Sequence, residues 1–453
     1  MKILHAIHDF LPFHRAGSEI YAFELCRELQ RRGHEVAVVC AEYDATMTHG
    51  SMREREYEGL RIFEIFNNWS FESFATSYRD PAMDRALADV LDSFQPEILH
   101  LQSLLNLSFR LPAIARERGI PSLATLHDFS LVCASGGQRV HLADQHVCHE
   151  IDTDRCARCF PATHFHSQMV AAANPPVERP TKRPQRIAWK LSRKLGLQSD
   201  PPRNEMPVTS GDIDARLEYL RDVVFPAVDV FVAPSRALGE DMKRFGMPAD
   251  RVVVSDYGFL PLRGTVDRTA ADELRIGFVG SLVWHKGVHV LLEAFSKLPH
   301  DRTRLLVYGA TDTVPEYTDR IREMAEGLPV TFEGRFDAND VARVYSSFDV
   351  AVVCSLWPEN SPLVIHEAFQ AGVPIVGADQ GGIPGLVTHD VDGLIYEAYD
   401  PDDLAAKLRR FLDEPELLPR FAAALPGVKS MEQDADEWVE RYRTSLARTR
   451  SGG

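Results

Sequence analysis

The sequence lacks any apolar run of the roughly 18 to 20 residues needed to cross a bilayer, and its opening, MKILHAIHDF, is interrupted by His5, His8 and Asp9. That pattern predicts a soluble, cytoplasmic chain without a signal peptide, kept in a reducing compartment. Positive charge is in short supply. Fifty Lys and Arg stand against 66 Asp and Glu, a net charge of −16, which argues against a general polyanion-binding surface and hence against a nucleic-acid partner. Cysteine is sparse and odd in number: seven in 453 residues, four of them between Cys133 and Cys159, a poor basis for a disulfide framework. Tandem repeats and low-complexity tracts are absent. What remains is ordinary globular composition, 45% apolar and 26% charged, in a chain long enough for two cores.

Short β-branched runs alternate with longer amphipathic segments, the pattern of parallel sheets covered by helices on both faces. KILHA (Lys2 to Ala6), a helix over Gly17 to Arg32 and VAVVC (Val36 to Cys40) read as a βαβ unit. Strands are predicted at Ile98 to Leu101, Ser122 to Thr125, Val228 to Ala233 and Arg251 to Ser255. Asp80 followed by Pro81 marks a helix start, and Pro96 lies beyond its end. A second series begins at RIGFVG (Arg275 to Gly280) and continues through Arg304 to Gly309, Val330 to Gly334, Asp349 to Cys354 and Pro374 to Ala378. Leu260 to Asp272, polar and carrying Pro261 and Gly264, reads as the linker. The expected architecture is α/β: two Rossmann-like, doubly wound domains facing a cleft, over 1–262 and 263–428, with a terminal helix from 429 to 453 returning to the first domain. Ligands of such sheets sit beyond the carboxyl ends of the strands, here between the halves.

The segment WPENSPLVIHEAFQAGVPIVGADQGGIPGLV carries the most chemical information. Pro362 before LVIHEAF predicts a helix beginning near Ser361, with proline in its first turn. Glu359 then stands just before the helix, the amides of Ser361, Leu363 and Val364 point out of its start, and Glu367 lies about a turn and a half further along. Free amides at a helix start bind phosphate, helped by the helix dipole. A carboxylate beside a bound phosphate accepts hydrogen bonds from neighbouring hydroxyls instead. A nucleoside diphosphate sugar offers hydroxyls on both sides of its diphosphate.

With AGSEIYAFELCRELQRRGHEV, PSRALGEDMKRFGMPADRVVV, GSLVWHKGVHVLLEAF and GRFDANDVARVYSSFDVAVVCS, in that order and spacing, the chain resembles a retaining glycosyltransferase of the GT-B fold, glycosyltransferase family 4. The resemblance implies a role for each matching residue. Glu367 would bind the ribose, Glu359 would face the donor sugar, and Lys286 would neutralise the diphosphate. Gly334, Arg335 and Phe336 would line the base pocket, Gly17 would let the backbone approach the phosphates, and His127 in TLHDF would lie near the sugar. Glu359, Lys286 and His127 form the catalytic set it implies. Ser281 stands where many relatives have a phosphate-clamping arginine, leaving His285 as the candidate replacement, and Ala16 precedes Gly17 where relatives often have a second glycine.

The implied reaction moves a sugar from a nucleotide-diphosphate sugar to a hydroxyl of a sugar, glycan or lipid-linked acceptor, with retention and without a catalytic metal, in surface polysaccharide or glycolipid synthesis. A sugar-nucleotide epimerase of the same fold and a catalytically silent sugar-nucleotide-binding subunit are the alternatives. The interval from about Cys133 to Thr209 breaks the strand rhythm and reads as a Cys/His-rich insertion with some helix of its own. Cys133, Cys148, Cys156 and Cys159 suffice for a tetrahedral structural zinc site, with His141, His146 and His149 as substitute ligands; reduced buried thiols are the other reading. Arg179 to Lys194 carries seven basic and no acidic residues around Trp189 and Leu191. It reads as a solvated charge run or as an interfacial helix giving peripheral contact with an anionic membrane.

Overall fold

The structure, a computed structural model, describes residues 1–141, 144–174, 204–267 and 271–451. The basic stretch from Arg179 to Lys194 lies outside the described residues. Among those described, no helix is long and apolar enough to cross a membrane.

The first lobe is built on an eight-stranded sheet. Its strands are β1 (Lys2–Ile7), β2 (Glu35–Glu42), β3 (Met52–Tyr57), β4 (Leu60–Phe66), β5 (Ile98–Leu101), β6 (Ser122–Thr125), β9 (Val230–Ala233) and β10 (Val252–Val254), with β7 (Val140–His141) and β8 (His146–Val147) forming a separate small hairpin. The order is β10-β9-β6-β5-β1-β2-β4-β3. All neighbours are parallel except β3 and β4, which turn over Glu58 and Gly59, both at positive φ, the backbone a tight two-residue hairpin needs. This hairpin is absent from the sequence reading, because MREREY carries charge at most positions and shows no apolar alternation. Asp80 caps the Pro81–Phe94 helix through a bond from the Ala82 amide, and Gln95 ends it in the left-handed region, the arrangement its punctuation predicts.

The second lobe has six parallel strands: β11 (Leu274–Val279), β12 (Thr303–Tyr308), β13 (Val330–Gly334), β14 (Val350–Val353), β15 (Ile375–Ala378) and β16 (Gly393–Tyr396). Their order, β13-β12-β11-β14-β15-β16, reverses direction between β11 and β14, and a crevice opens at the carboxyl ends of strands at such a reversal. The first sheet reverses likewise between β1 and β5.

Apolar faces of both sheets are covered by helices. One core fills the second lobe, and two line the opposite faces of the first sheet. The helix Met431–Ser451 returns to the first lobe: Trp438 and Tyr442 are fully buried in its core, Trp438 donates to the Tyr21 hydroxyl, and Tyr21 donates to Asp434. The two strands of chain that run between the lobes are tied together, since Phe259 donates to the Lys429 carbonyl and accepts from the Met431 amide. Lys429 Nζ secures the junction, reaching the Ser255 hydroxyl, the Asp256 carbonyl, Asp434 and Glu437.

Candidate active site

The carboxyl ends of the two sheets face a cavity of about 510 Å³. From the first lobe come Gly17, Tyr21, His127, Asp128, Gly136, Gln138 and Tyr257; from the second, Ser281, Lys286, Trp357, Glu359, Asn360, Ser361, Leu363 and Val364. Eight of the residues singled out in the sequence therefore share one wall or the other: Gly17, His127, Ser281, Lys286, Glu359, Ser361, Leu363 and Val364.

Local backbone explains how Lys286 arrives there. The single turn Trp284–Lys286 ends on Gly287 at φ +76, and a Cβ on that glycine would lie 1.9 Å from the Cys354 carbonyl oxygen. Only glycine lets the lysine loop close onto the end of β14. Lys286 Nζ donates to Glu359 Oε1 at 2.5 Å and sits 5.2 Å from the Trp357 ring centre. Glu359 is nearly buried and also accepts from the Ser355 hydroxyl at 2.6 Å. Its backbone is clamped by the glycine pair after β15. Gly382 donates to the Glu359 carbonyl, and a side chain at Gly382 would strike the Asn360 carbonyl at 1.8 Å.

The helix opens at Leu363, two residues later than the expected Ser361, with Pro362 as N-cap at ψ 118. The extended ψ keeps Pro362 out of the first turn, and the free amides at the start are those of Leu363 and Val364. Ser361 stands before the helix and is held across the cleft: its hydroxyl donates to Asp256 Oδ1 at 2.7 Å and lies 2.9 Å from His366 Nε2. His366 stacks on Phe259. Asn360 donates to the His127 carbonyl. Gly17 lies under the Leu363 side chain, where a Cβ would be 2.9 Å from Leu363 Cδ1.

Glu367, Gly334, Arg335 and Phe336 do not line this cavity. Glu367 is on the same helix, half-buried, and its Oε2 accepts from the Tyr345 hydroxyl at 3.0 Å; burial pushes its carboxyl up, against the pull of that bond. Arg335 is exposed and paired with Asp312, Phe336 packs edge-on against Tyr308, and Gly334 ends β13 at φ +78. His127 does line the cavity, but both ring nitrogens are engaged: Nε2 faces Gln102 Oε1 at 2.7 Å and Nδ1 faces the Tyr257 hydroxyl at 3.1 Å. Burial holds it at about 3, a neutral imidazole. His285 does not replace the missing arginine. It is absent from the cavity wall, and burial and the neighbouring Lys286 lower it to about 4, so it is uncharged at neutral pH. Ser281 is exposed at the cavity edge, and among the described residues Lys286 is the one Lys or Arg on the lining.

Asp256, Asn360, Gln102, Tyr257 and Tyr345 were not singled out in the sequence. Each acts by holding another site residue in place, and no local motif announces such a partner. The four cysteines line a separate small cavity in the first lobe. Among the described residues, no group of three or more His, Cys, Asp or Glu side chains is arranged to hold a metal ion.

Comparison with known proteins agrees with this architecture. Residues 267–425 match the family described as Glycosyl transferases group 1, and residues 15–195 match Glycosyltransferase Family 4. Sulfoquinovosyl transferase SQD2 of Arabidopsis thaliana is 27% identical over 205 residues, 42% of this chain and 39% of that protein. D-inositol 3-phosphate glycosyltransferase of Geodermatophilus obscurus is 33% identical over 224 residues, 42% of this chain and 50% of its own. The chain thus spans half or less of the length of these curated relatives. Among solved structures, sucrose-phosphate synthase from Thermosynechococcus elongatus superposes with a TM-score of 0.64 at 17% identity, covering 99% of this chain and 100% of that one. Anabaena HepE, in complex with UDP and glucose, gives 0.58 at 15% identity over 100% of both chains. Fold, strand order and the two matched segments lead to one assignment: the chain belongs to the group 1, family 4 glycosyltransferases and has the GT-B fold.

Proposed function

We propose that the protein transfers a sugar from a nucleotide-diphosphate sugar to an acceptor hydroxyl, with retention at the anomeric carbon. The observation that carries this reading is the start of the Leu363–Gln370 helix. Its free amides open into the interdomain cavity, and Lys286 lies on the wall of the same cavity. Amides and ammonium together offer the positive potential a diphosphate leaving group needs, without a catalytic metal. Glu359 holds Lys286 in the absence of donor, and its carboxylate accepts hydrogen bonds from hydroxyls of the donor sugar. Glu367, one to two turns down the same helix, receives the ribose, with Tyr345 fixing its rotamer; Gly334, Arg335 and Phe336 border the base. The solved HepE complex with UDP and glucose supports a nucleotide donor.

In this mechanism the protein supplies position and charge rather than a covalent intermediate. The acceptor hydroxyl attacks from the face the diphosphate leaves, and the departing phosphate oxygen takes its proton. Closure of the lobes excludes water that would hydrolyse the donor. The acceptor enters from the side of Asp128, Gly136 and Gln138, which belong to the first lobe. A sugar, a glycan or a lipid-linked glycan in surface polysaccharide or glycolipid synthesis fits this reading, and it places the enzyme in the cytoplasm or at the inner face of the membrane.

A panel of nucleotide sugars in a thermal-shift assay, followed by acceptor screening with the best stabiliser, tests the proposal. Stabilisation by one nucleotide family and transfer to an acceptor are expected. Binding without transfer or donor hydrolysis favours a silent binding subunit, and conversion of the donor to an epimer without acceptor favours an epimerase. No stabilisation by any nucleotide sugar refutes the site.

A further inference from the structure

The loop after β6, the β7–β8 hairpin and the helix Thr153–Cys159 enclose a cavity of about 30 Å³, room for one small occupant. Cys133, Cys148, Cys156 and Cys159 all line it, although they come from three separate stretches of chain. Two buried side chains on the same lining have polar atoms with nothing to bond among the described residues. The guanidinium of Arg139, 4% exposed, is sandwiched between the Phe129 and Phe245 rings, and its Nη1 donates to Asp241, but its Nη2 has no acceptor. The imidazole of His141, 2% exposed, faces Asp144 through Nδ1, and its Nε2 has no partner.

A third cation lies close by. Arg216 is buried behind Cys133, donates to the carbonyls of Ser130 and Val132, and among the described residues pairs with no carboxylate. Buried cations and unsatisfied donors are costly unless a negative group faces them. Neutral thiols do not supply one, since an S–H group is a weak acceptor. A soft divalent cation changes this by deprotonating its thiol ligands.

We propose that this cavity is a structural zinc site in which Cys133, Cys148, Cys156 and Cys159 bind one zinc ion as thiolates. Four protons pass to solvent on binding, and the resulting unit carries two net negative charges. Arg139 Nη2 and His141 Nε2 donate to the sulfurs, and Arg216 offsets the charge from behind. The thiols do not yet stand in metal-holding geometry, so they reach the ion by rotating into the cavity that they line. The ion takes no part in sugar transfer. It fastens the segment between Cys133 and Arg139, whose Gly136 and Gln138 form part of the interdomain cavity wall, to an insertion with little core of its own. This inference is independent of the reading of the donor site.

Full-length protein purified without added metal and dialysed against zinc-free buffer should contain one zinc per chain by plasma mass spectrometry. Cys148→Ser and Cys156→Ser should lose it, and Cys26→Ser, whose thiol lies in a different core, should keep it. A parent that holds no zinc even after incubation with an equimolar amount overturns the site, as does zinc that survives both substitutions or a stoichiometric metal other than zinc. If the serine variants do not fold, the parent decides: a mercurial that blocks thiolates should release one zinc to a colorimetric chelator and lower the melting temperature. Absence of release overturns the proposal.

Discussion

Lys286 and Glu359 satisfy each other across 2.5 Å, so in the proposed reaction a donor diphosphate takes the ammonium from a partner that already holds it. Ser281 brings no charge, and among the described residues no second Lys or Arg on the cavity wall shares that task. Lys286→Ala should therefore abolish most transfer, lowering kcat/KM by two to three orders of magnitude, about 3 to 4 kcal/mol of leaving-group stabilisation; a loss under tenfold in steady-state kinetics argues against the role. Glu367→Ala should weaken nucleotide binding by about 1 to 3 kcal/mol through unpaired hydroxyls, read by calorimetry, and an unchanged affinity removes it from the ribose site. Tyr345→Phe tests the partner that the sequence did not reveal. It should weaken nucleotide binding less than Glu367→Ala does, by about 0.5 to 1.5 kcal/mol for one hydrogen bond.

At the scale of elements, the glycines that close loops onto strand ends are the sharpest points of sequence control. Gly287 and Gly33 both sit at positive φ, +76 and +81, but a Cβ on Gly287 meets the Cys354 carbonyl, while one on Gly33 meets nothing within 4 Å. Gly287→Ala should cost about 2 to 4 kcal/mol, strain plus overlap, and Gly33→Ala about 1 kcal/mol. Urea unfolding of the two variants decides, and equal costs contradict the overlap. The same scale shows what was legible in the sequence. The eleven strands predicted for the two sheets appear within one or two residues of their expected bounds, because buried parallel strands are written as apolar runs between turns. β16 was missed since GLIY is short and follows an irregular polar stretch. The helix at Leu363 was found through its proline, but its start was misplaced because Ser361 is held by Asp256, 105 residues away in sequence. Tyr345 and Gln102 were illegible for the same reason, as their partners are made by the fold.

For the whole molecule, buried neutral histidines set a pH response. Burial lowers His5 and His127 to about 3, and His285 and His289 to about 4. The unfolded chain takes up these protons near pH 6.5 and the folded chain does not, so it is the unfolded state that binds more protons between these values. Stability should then be fully present above about pH 6.5 and fall as pH drops toward 4, by about 1 kcal/mol per pH unit for each histidine. His8, raised by Glu19, acts in the opposite sense. Denaturant unfolding between pH 4.5 and 6.5 avoids most carboxylate titration; a flat profile there contradicts the buried, neutral assignment.

The returning helix has a consequence for how the chain comes to be folded. Trp438 and Tyr442 complete a core whose other members lie mostly within the first 123 residues, so Trp438→Ala should cost about 3 to 5 kcal/mol although it is remote in sequence from nearly all that it touches. On a ribosome, the lobe made first must wait, its apolar surface uncovered, until the lobe made second has emerged and its last helix arrives. Synthesis thus leaves that apolar surface of the early half open for the time needed to translate the rest.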